Sequence, residues 1–245
     1  GDTLVAFAQW VKDNYPAQHY ALIIWDHGDG WRSVFDTKED EEIFKGASQD
    51  ETNGWDYLYF TSGTPGVRGE IGEAFDDIYT YYGSKLDIVG FDVCLDQMWE
   101  NNVEAQGTFN YFVASEMSEW GDGWAYTTFL NDLAAANGNL TPSQLAQAIV
   151  DAYADGEGGQ TGDTQSSVDL TALSALTTAI DEFAIELMYN KTAYGTQIQT
   201  ARNNTFELDY DTPYYHQVDL YDFCLKLEAQ AVPQSLKTKS AAVRT

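Results

Sequence analysis

Three short apolar runs, each following a segment of helical spacing, constrain the fold of this 245-residue chain more than any other feature. HYALIIWD (19–26), LDIVGFDVC (86–94) and YFVASEM (111–117) are continuous stretches rich in β-branched and aromatic residues. Strands buried on both faces read this way. Leu4 to Tyr15 has helical apolar spacing closed by Pro16, GEIGEAFDDIYTYYG (69–83) ends on a glycine, and DQMWENNVEAQG (96–107) returns between the second and third runs. Helix and strand alternating three times is the rhythm of a parallel sheet covered on both sides. The expected fold class is therefore α/β, a three-layer α/β/α sandwich with a mostly parallel central sheet.

The rest of the chain fits around that unit. Residues 28–69 are polar, carry turn signals and are too long for a simple connection, which predicts a short hairpin and functional loops. Beyond Trp124 the pattern is mostly helical: 127–136, 141–156, 170–190 and 216–229. SSVDL (166–170) reads as one further short strand, and DGEGGQTGDTQ (155–165) as a flexible loop.

In an open parallel sheet, ligands bind beyond the carboxyl ends of the strands. The first strand delivers Asp26-His27-Gly28 there, the second Asp92-Val93-Cys94, and the third Ser115-Glu116, leading into WGDGW. If the strands are parallel, His27 and Cys94 share one rim. A thiolate and an imidazole suffice for nucleophilic acyl transfer, and the Gly28 N–H could hold the developing oxyanion. The residues alone favour a packed cysteine and a polar strand end over catalysis. Asp92 and Asp122 would line an acidic pocket if the GDGW loop folds over the site, and such a pocket suits a guanidinium or ammonium group. His19, on a turn before its strand, and His216, opening a helix, read as surface or capping residues. Glu100 and Glu116 read as loop supports, and Cys224, within VDLYDFCLKL, as a core filler.

Charge narrows the partners. With 39 acidic against 12 basic residues the formal net charge is −27, which argues against nucleic-acid binding. The acid content permits Ca²⁺, although DTKEDEE (36–42) lacks the spacing of an EF-hand loop and no ligand set can be named. No apolar run approaches the roughly 18 residues of a membrane span. Two cysteines without a Cys-x-x-Cys pair indicate neither a zinc ribbon nor a disulfide framework.

ALIIWDHGDGW (21–31), DIVGFDVCLDQMWE (87–100) and YFVASEMSEWGDGWAY (111–126), in that order, resemble the clostripain family of bacterial cysteine peptidases, within the caspase-like clan. FKGASQDETNG (44–54) and SSVDLTAL (166–173) resemble further family segments, so the likeness runs from Leu4 to Leu227. The resemblance implies a caspase-like sandwich with 1–245 as a single peptidase domain, helical over about 125–230. It implies His27 as general acid/base, Cys94 as nucleophile, an oxyanion hole at Gly28 and Cys94, and Asp92 and Asp122 at the floor of the S1 pocket. The implied substrates are proteins or peptides with Arg or Lys before the scissile bond. No cofactor is required for the chemistry, with Ca²⁺ as a possible activator or structural ion. Self-processing after a basic residue is a family habit, and Lys45-Gly46 matches that segment best, ahead of Lys38 and Arg32. The implied location is secreted or attached to a bacterial envelope.

Departures from the pattern are Val93 in place of alanine and Asp96-Gln97 in place of apolar or small residues. A carboxylate at Asp96 would oppose activation of a nearby thiol. The chain also reads as a fragment, lacking strands ahead of the His-bearing strand and chain after its last helix, so an N-terminal segment or partner chain is expected. Two other functions stay open: a catalytically inactive binding or scaffold module on the same fold, and, more distantly, a carboxylate-based glycosidase.

Overall fold

The computed structural model describes residues 1–28, 30–31, 47–50, 56–61, 68–155, 164–208 and 217–245. Helix α1 (Asp2–Asn14) leads into strand β1 (Ala21–Trp25). A short antiparallel pair, β2 (Gln49–Asp50) and β3 (Asp56–Tyr57), supplies the hairpin expected in the long polar stretch. Then follow α2 (Glu70–Tyr82), β4 (Leu86–Asp92), α3 (Trp99–Ala105), β5 (Phe109–Ala114), α4 (Tyr126–Ala135), α5 (Pro142–Asp155) and β6 (Ser166–Asp169). These elements lie within one compact unit, residues 1–171.

The sheet order is β1-β4-β5-β6. β1 runs parallel to β4 and β4 to β5, as the helix–strand alternation predicts, and β6 closes the far edge antiparallel to β5. β4 is the central strand, and its residues divide by period two. Val89 and Phe91 are fully buried, and Phe91 stacks on Phe112 and meets Phe60. Ile88 joins Val113, Trp124, Phe129 and Ile149, packing against α4 and α5. Gly90 belongs to this second set, because a Cβ there would fall 2.7 Å from the Trp124 ring. Asp92 is next in that alternation, so the strand delivers a carboxylate under Trp124.

Helix α2 buries Ile71, Ala74, Phe75 and Ile78, the i, i+3, i+4, i+7 stripe of an amphipathic helix. Gly83, left-handed at φ 71°, ends it by returning its N–H to the Tyr79 carbonyl.

Residues 172–245 form a second compact unit. Its helices are α6 (Leu173–Asn203), α7 (Leu220–Glu228) and α8 (Gln234–Val243), around Phe183, Cys224, Leu227, Leu236 and Val243. Cys224 is a buried packing residue whose thiol pKa is pushed up chiefly by that burial. α6 runs past the expected end at Asn190, through a bend at Tyr194 beside Gly195. The bend shifts the helical phase, so the apolar spacing does not carry across it. α8 has no counterpart in the sequence reading. Its buried stripe is only Leu236, Ser240 and Val243 among lysines and polar residues. No helix among the described residues is long and apolar enough to cross a membrane.

Candidate active site

The register of the parallel pair fixes which residues share a rim. Trp25 of β1 is level with Asp92 of β4, and both chains leave the sheet there. Two residues beyond that pair stand His27 and Cys94. The Asp26 N–H still reaches the Asp92 carbonyl at 3.5 Å, so the two chains remain side by side as they exit. His27 is exposed and Cys94 is half-buried.

Contacts between the loops are too tight for side chains. A Cβ on Gly28 would lie 2.4 Å from the Cys94 carbonyl oxygen and 2.5 Å from Val93 Cγ2. Gly30, left-handed at φ 73°, would meet Met98 in the same way. Its N–H donates to Asp96 Oδ1 at 2.9 Å, and Asp96 is fully buried. Asp96 therefore ties the loop after His27 to the loop after Cys94. Leu95, itself left-handed at φ 65°, donates its N–H to the Met117 carbonyl, and the Gln97 N–H donates to the Ser115 carbonyl. The end of β5 thus pins the cysteine loop from its other side.

Cys94 Sγ accepts the Glu119 N–H at 3.2 Å and lies 3.8 Å from the Glu119 carbonyl oxygen. From there the chain turns through Trp120 to Gly123, where the Gly123 N–H returns to the Trp120 carbonyl. Gly123 is left-handed at φ 67°, and a Cβ there would crowd Asp92 and the Trp25 indole at 3.0 Å. The turn therefore presses backbone directly over Asp92.

Asp92 is only 2% exposed, and its Oδ2 accepts the Trp124 N–H at 3.1 Å and the Tyr126 hydroxyl at 2.8 Å. Burial pushes its pKa up, and these donors, with a hydrogen bond from Glu119, work against the rise. Glu119 is half-buried beside it and accepts the Trp124 indole N–H at 3.3 Å. Burial first, then the negative charges of Asp92 and Asp96, push its pKa up to about 9, the indole opposing them. Burial also pushes the Tyr126 phenol up, its bond to Asp92 adding to the effect.

The expected residues are thus distributed unevenly. His27, Gly28, Cys94 and Asp92 gather at the end of the β1/β4 pair. Asp122 lies on the solvent face of the 120–123 turn, with its side chain exposed. The carboxyl that meets Asp92 is Glu119, which the sequence does not single out. His19 is at the opposite end of β1, 3.1 Å from Asp87. Glu116 takes its place in a polar knot, its N–H donating to Thr164 Oγ1 at 3.0 Å. Glu100, in the first turn of α3, is half-buried, and burial raises its pKa. Lys45, Gly46, Lys38, Arg32, His216 and the acidic run 36–42 lie outside the described residues. Among the described residues no group of three or more His, Cys, Asp or Glu side chains converges as a metal site.

The clostripain family model matches residues 1–244. Clostripain of Hathewaya histolytica is 25% identical over 276 aligned residues, covering 98% of this chain and 50% of that protein. A secreted cysteine protease from Bacteroides thetaiotaomicron, solved with an irreversible peptide inhibitor, superposes with a TM-score of 0.63 at 21% identity, over 98% of this chain and 60% of that one. An inactive zymogen protease from Parabacteroides distasonis superposes with a TM-score of 0.63 at 19% identity, over 99% and 57%. These superpositions establish a shared α/β fold. The chain spans half the length of the curated relative and about three-fifths of the solved chains.

Proposed function

The chain belongs to the clostripain family, and from that membership we propose that it carries the catalytic centre of a cysteine endopeptidase that cuts after Arg or Lys. One observation carries the reading: the Trp25–Asp92 register sends His27 and Cys94 off the same rim, two residues beyond a buried carboxylate.

In the proposed reaction the His27 imidazole takes the Cys94 proton, and the thiolate attacks the scissile carbonyl. The tetrahedral oxyanion is held by the Gly28 and Cys94 N–H groups. The C–N bond breaks, the amine leaves with the proton from His27, and a thioester remains on Cys94. Water, activated by His27, attacks the thioester, releasing the carboxylic acid and restoring the thiol. The close approach of Gly28 to the Cys94 carbonyl supports this assignment, because it holds the two loops together without intervening side chains. Asp92, buried beneath the 120–123 turn, is the proposed S1 acid, with Asp122 a second carboxylate at the exposed edge of that turn.

Self-processing between Lys45 and Gly46, activation by Ca²⁺ and a secreted or envelope-attached location complete the proposal. They are motivated by the family likeness and, for location, by a structural relative described as secreted. The test is cleavage of fluorogenic peptides with Arg, Lys, Asp or Ala before the scissile bond, with Cys94→Ala as control. Turnover confined to Arg and Lys and lost in Cys94→Ala is the expected result. No turnover with Ca²⁺ added and after limited trypsin treatment overturns it in favour of a non-catalytic binding module.

A further inference from the structure

Trp124 joins two carboxyl groups. Its backbone N–H donates to Asp92 Oδ2 at 3.1 Å and its indole N–H to Glu119 Oε1 at 3.3 Å. The remaining oxygens, Asp92 Oδ1 and Glu119 Oε2, are both buried with no donor from any other described group. One tryptophan therefore holds both carboxyls, and each keeps one buried oxygen that nothing described answers. A carboxylate is an acceptor only, so neither of these oxygens can answer the other unless one of the two groups keeps its proton. We propose that Glu119 is the specificity partner of Asp92: the pair shares one proton while the site is empty, and an entering Arg or Lys side chain displaces that proton to solvent. This deepens the peptidase reading and rests on its assignment of Asp92 to cation recognition.

The surroundings fit that role. Asp92 faces Glu119 from the end of β4, Asp96 from the loop after it, and the Tyr126 phenol bonds Asp92 from the start of α4. The Cys94 thiol touches the Glu119 backbone. Among the described residues, the titratable groups acting on either carboxyl are acids, and none is a lysine or arginine. Two like charges that close in a buried setting cannot both ionise, so the empty site keeps a proton. Burial and the neighbouring acids hold the Glu119 proton near neutral pH, consistent with a pKa of about 9. A guanidinium or ammonium replaces that proton with its own positive charge. Because the Glu119 N–H also contacts Cys94 Sγ, the residue that answers the cation is joined to the sulfur.

Proton-linked binding is directly measurable. An arginine peptide and its neutral citrulline twin are titrated into the Cys94→Ala protein by calorimetry, in buffers of low and high ionisation enthalpy. The arginine peptide is expected to release about one proton at pH 7 and to bind about tenfold tighter per pH unit between pH 6 and 8. The citrulline peptide is expected to show neither effect. Glu119→Gln is expected to abolish the release and flatten the slope, and Glu119→Asp to retain part of both. The proton count on protein with Glu119 intact does not depend on how either variant folds. Arginine binding without proton release, no arginine binding at all, or release that persists in Glu119→Gln overturns the proposal. Cleavage of arginine peptides with a pH-independent KM would refute the carboxyl pair and leave the peptidase standing. Proton-linked binding without cleavage in the Cys94-intact protein would do the reverse.

Discussion

Gly28→Ala is the most direct probe of the contact on which the site depends. The added Cβ would sit 2.4 Å from the Cys94 carbonyl oxygen, 2.5 Å from Val93 Cγ2 and 2.8 Å from Val93 Cβ. Carbon and oxygen approach to about 3.3 Å at closest, so the His27 and Cys94 loops must part by about 1 Å. Overpacking of this kind costs ~1–3 kcal/mol, which lowers the melting temperature by about 2–4 °C per kcal/mol in a chain of this size. A displacement of about 1 Å between reacting groups is worth ~100-fold in rate. The expected outcome is a modest fall in melting temperature beside a loss of about two orders of magnitude in kcat/KM for arginine peptides. Adding Val93→Ala removes the Cγ2 contact but leaves the backbone oxygen in place. The double variant should therefore recover part of the stability and little of the activity. Wild-type melting and wild-type kcat/KM in Gly28→Ala would refute the loop contact itself.

Asp96→Ala removes the buried acceptor of the Gly30 N–H and should cost ~1–3 kcal/mol in denaturant melts, whereas Asp96→Asn keeps an oxygen there and should stay close to wild type. Native-state alkylation followed by peptide mapping should label half-buried Cys94 and spare buried Cys224; labelling of Cys224 at a comparable rate would contradict the packing of α7. Glu119 is more basic folded than unfolded, so the native state holds its proton more tightly. Its contribution is full below the unfolded carboxyl range and is lost as pH rises toward about 9. Thermal melts should therefore show Glu119→Gln gaining stability relative to wild type between pH 5 and 8.5, and an unchanged difference across that range would contradict the raised pKa.

The strands were legible because each reads as an unbroken apolar run, although only β4 is buried almost throughout, while β1 leaves Ala21 and Trp25 exposed. Their parallel order followed from the helices between them, and it alone sufficed to bring His27 and Cys94 to one rim. Glu119 was not legible, because nothing in SEWGDGW distinguishes its acid from Asp122. Backbone decides between them: the tight return at Gly123 leaves Asp122 on the solvent face, while Glu119 is held from behind by Cys94 Sγ and the Trp124 indole. α8 escaped notice for a different reason. Ser240 occupies a buried position because its one hydroxyl proton has the Cys224 carbonyl and Glu228 both within reach as acceptors, so one step of the stripe is polar by composition and internal by hydrogen bonding.

The departures on either side of the strand-end cysteine are explained together by the same loop contacts. Val93 is buried against Gly28, and Asp96 receives the Gly30 N–H. Gln97 donates its side-chain amide to the Ser166 carbonyl and hydroxyl at the start of β6, and accepts from Asn102. Each of the three substituted positions thus contacts either the histidine loop or the antiparallel edge strand. A carboxylate at Asp96 near the proposed nucleophile has an electrostatic cost, but a small residue there would leave the Gly30 N–H without this acceptor. The tie is also one-sided: Asp96 raises the proton affinity of Glu119 while holding the loop that carries His27. A change at Asp96 should therefore alter cation recognition and the His27 loop together, whereas a change at Tyr126, which bonds only Asp92 among the site carboxyls, should alter recognition alone.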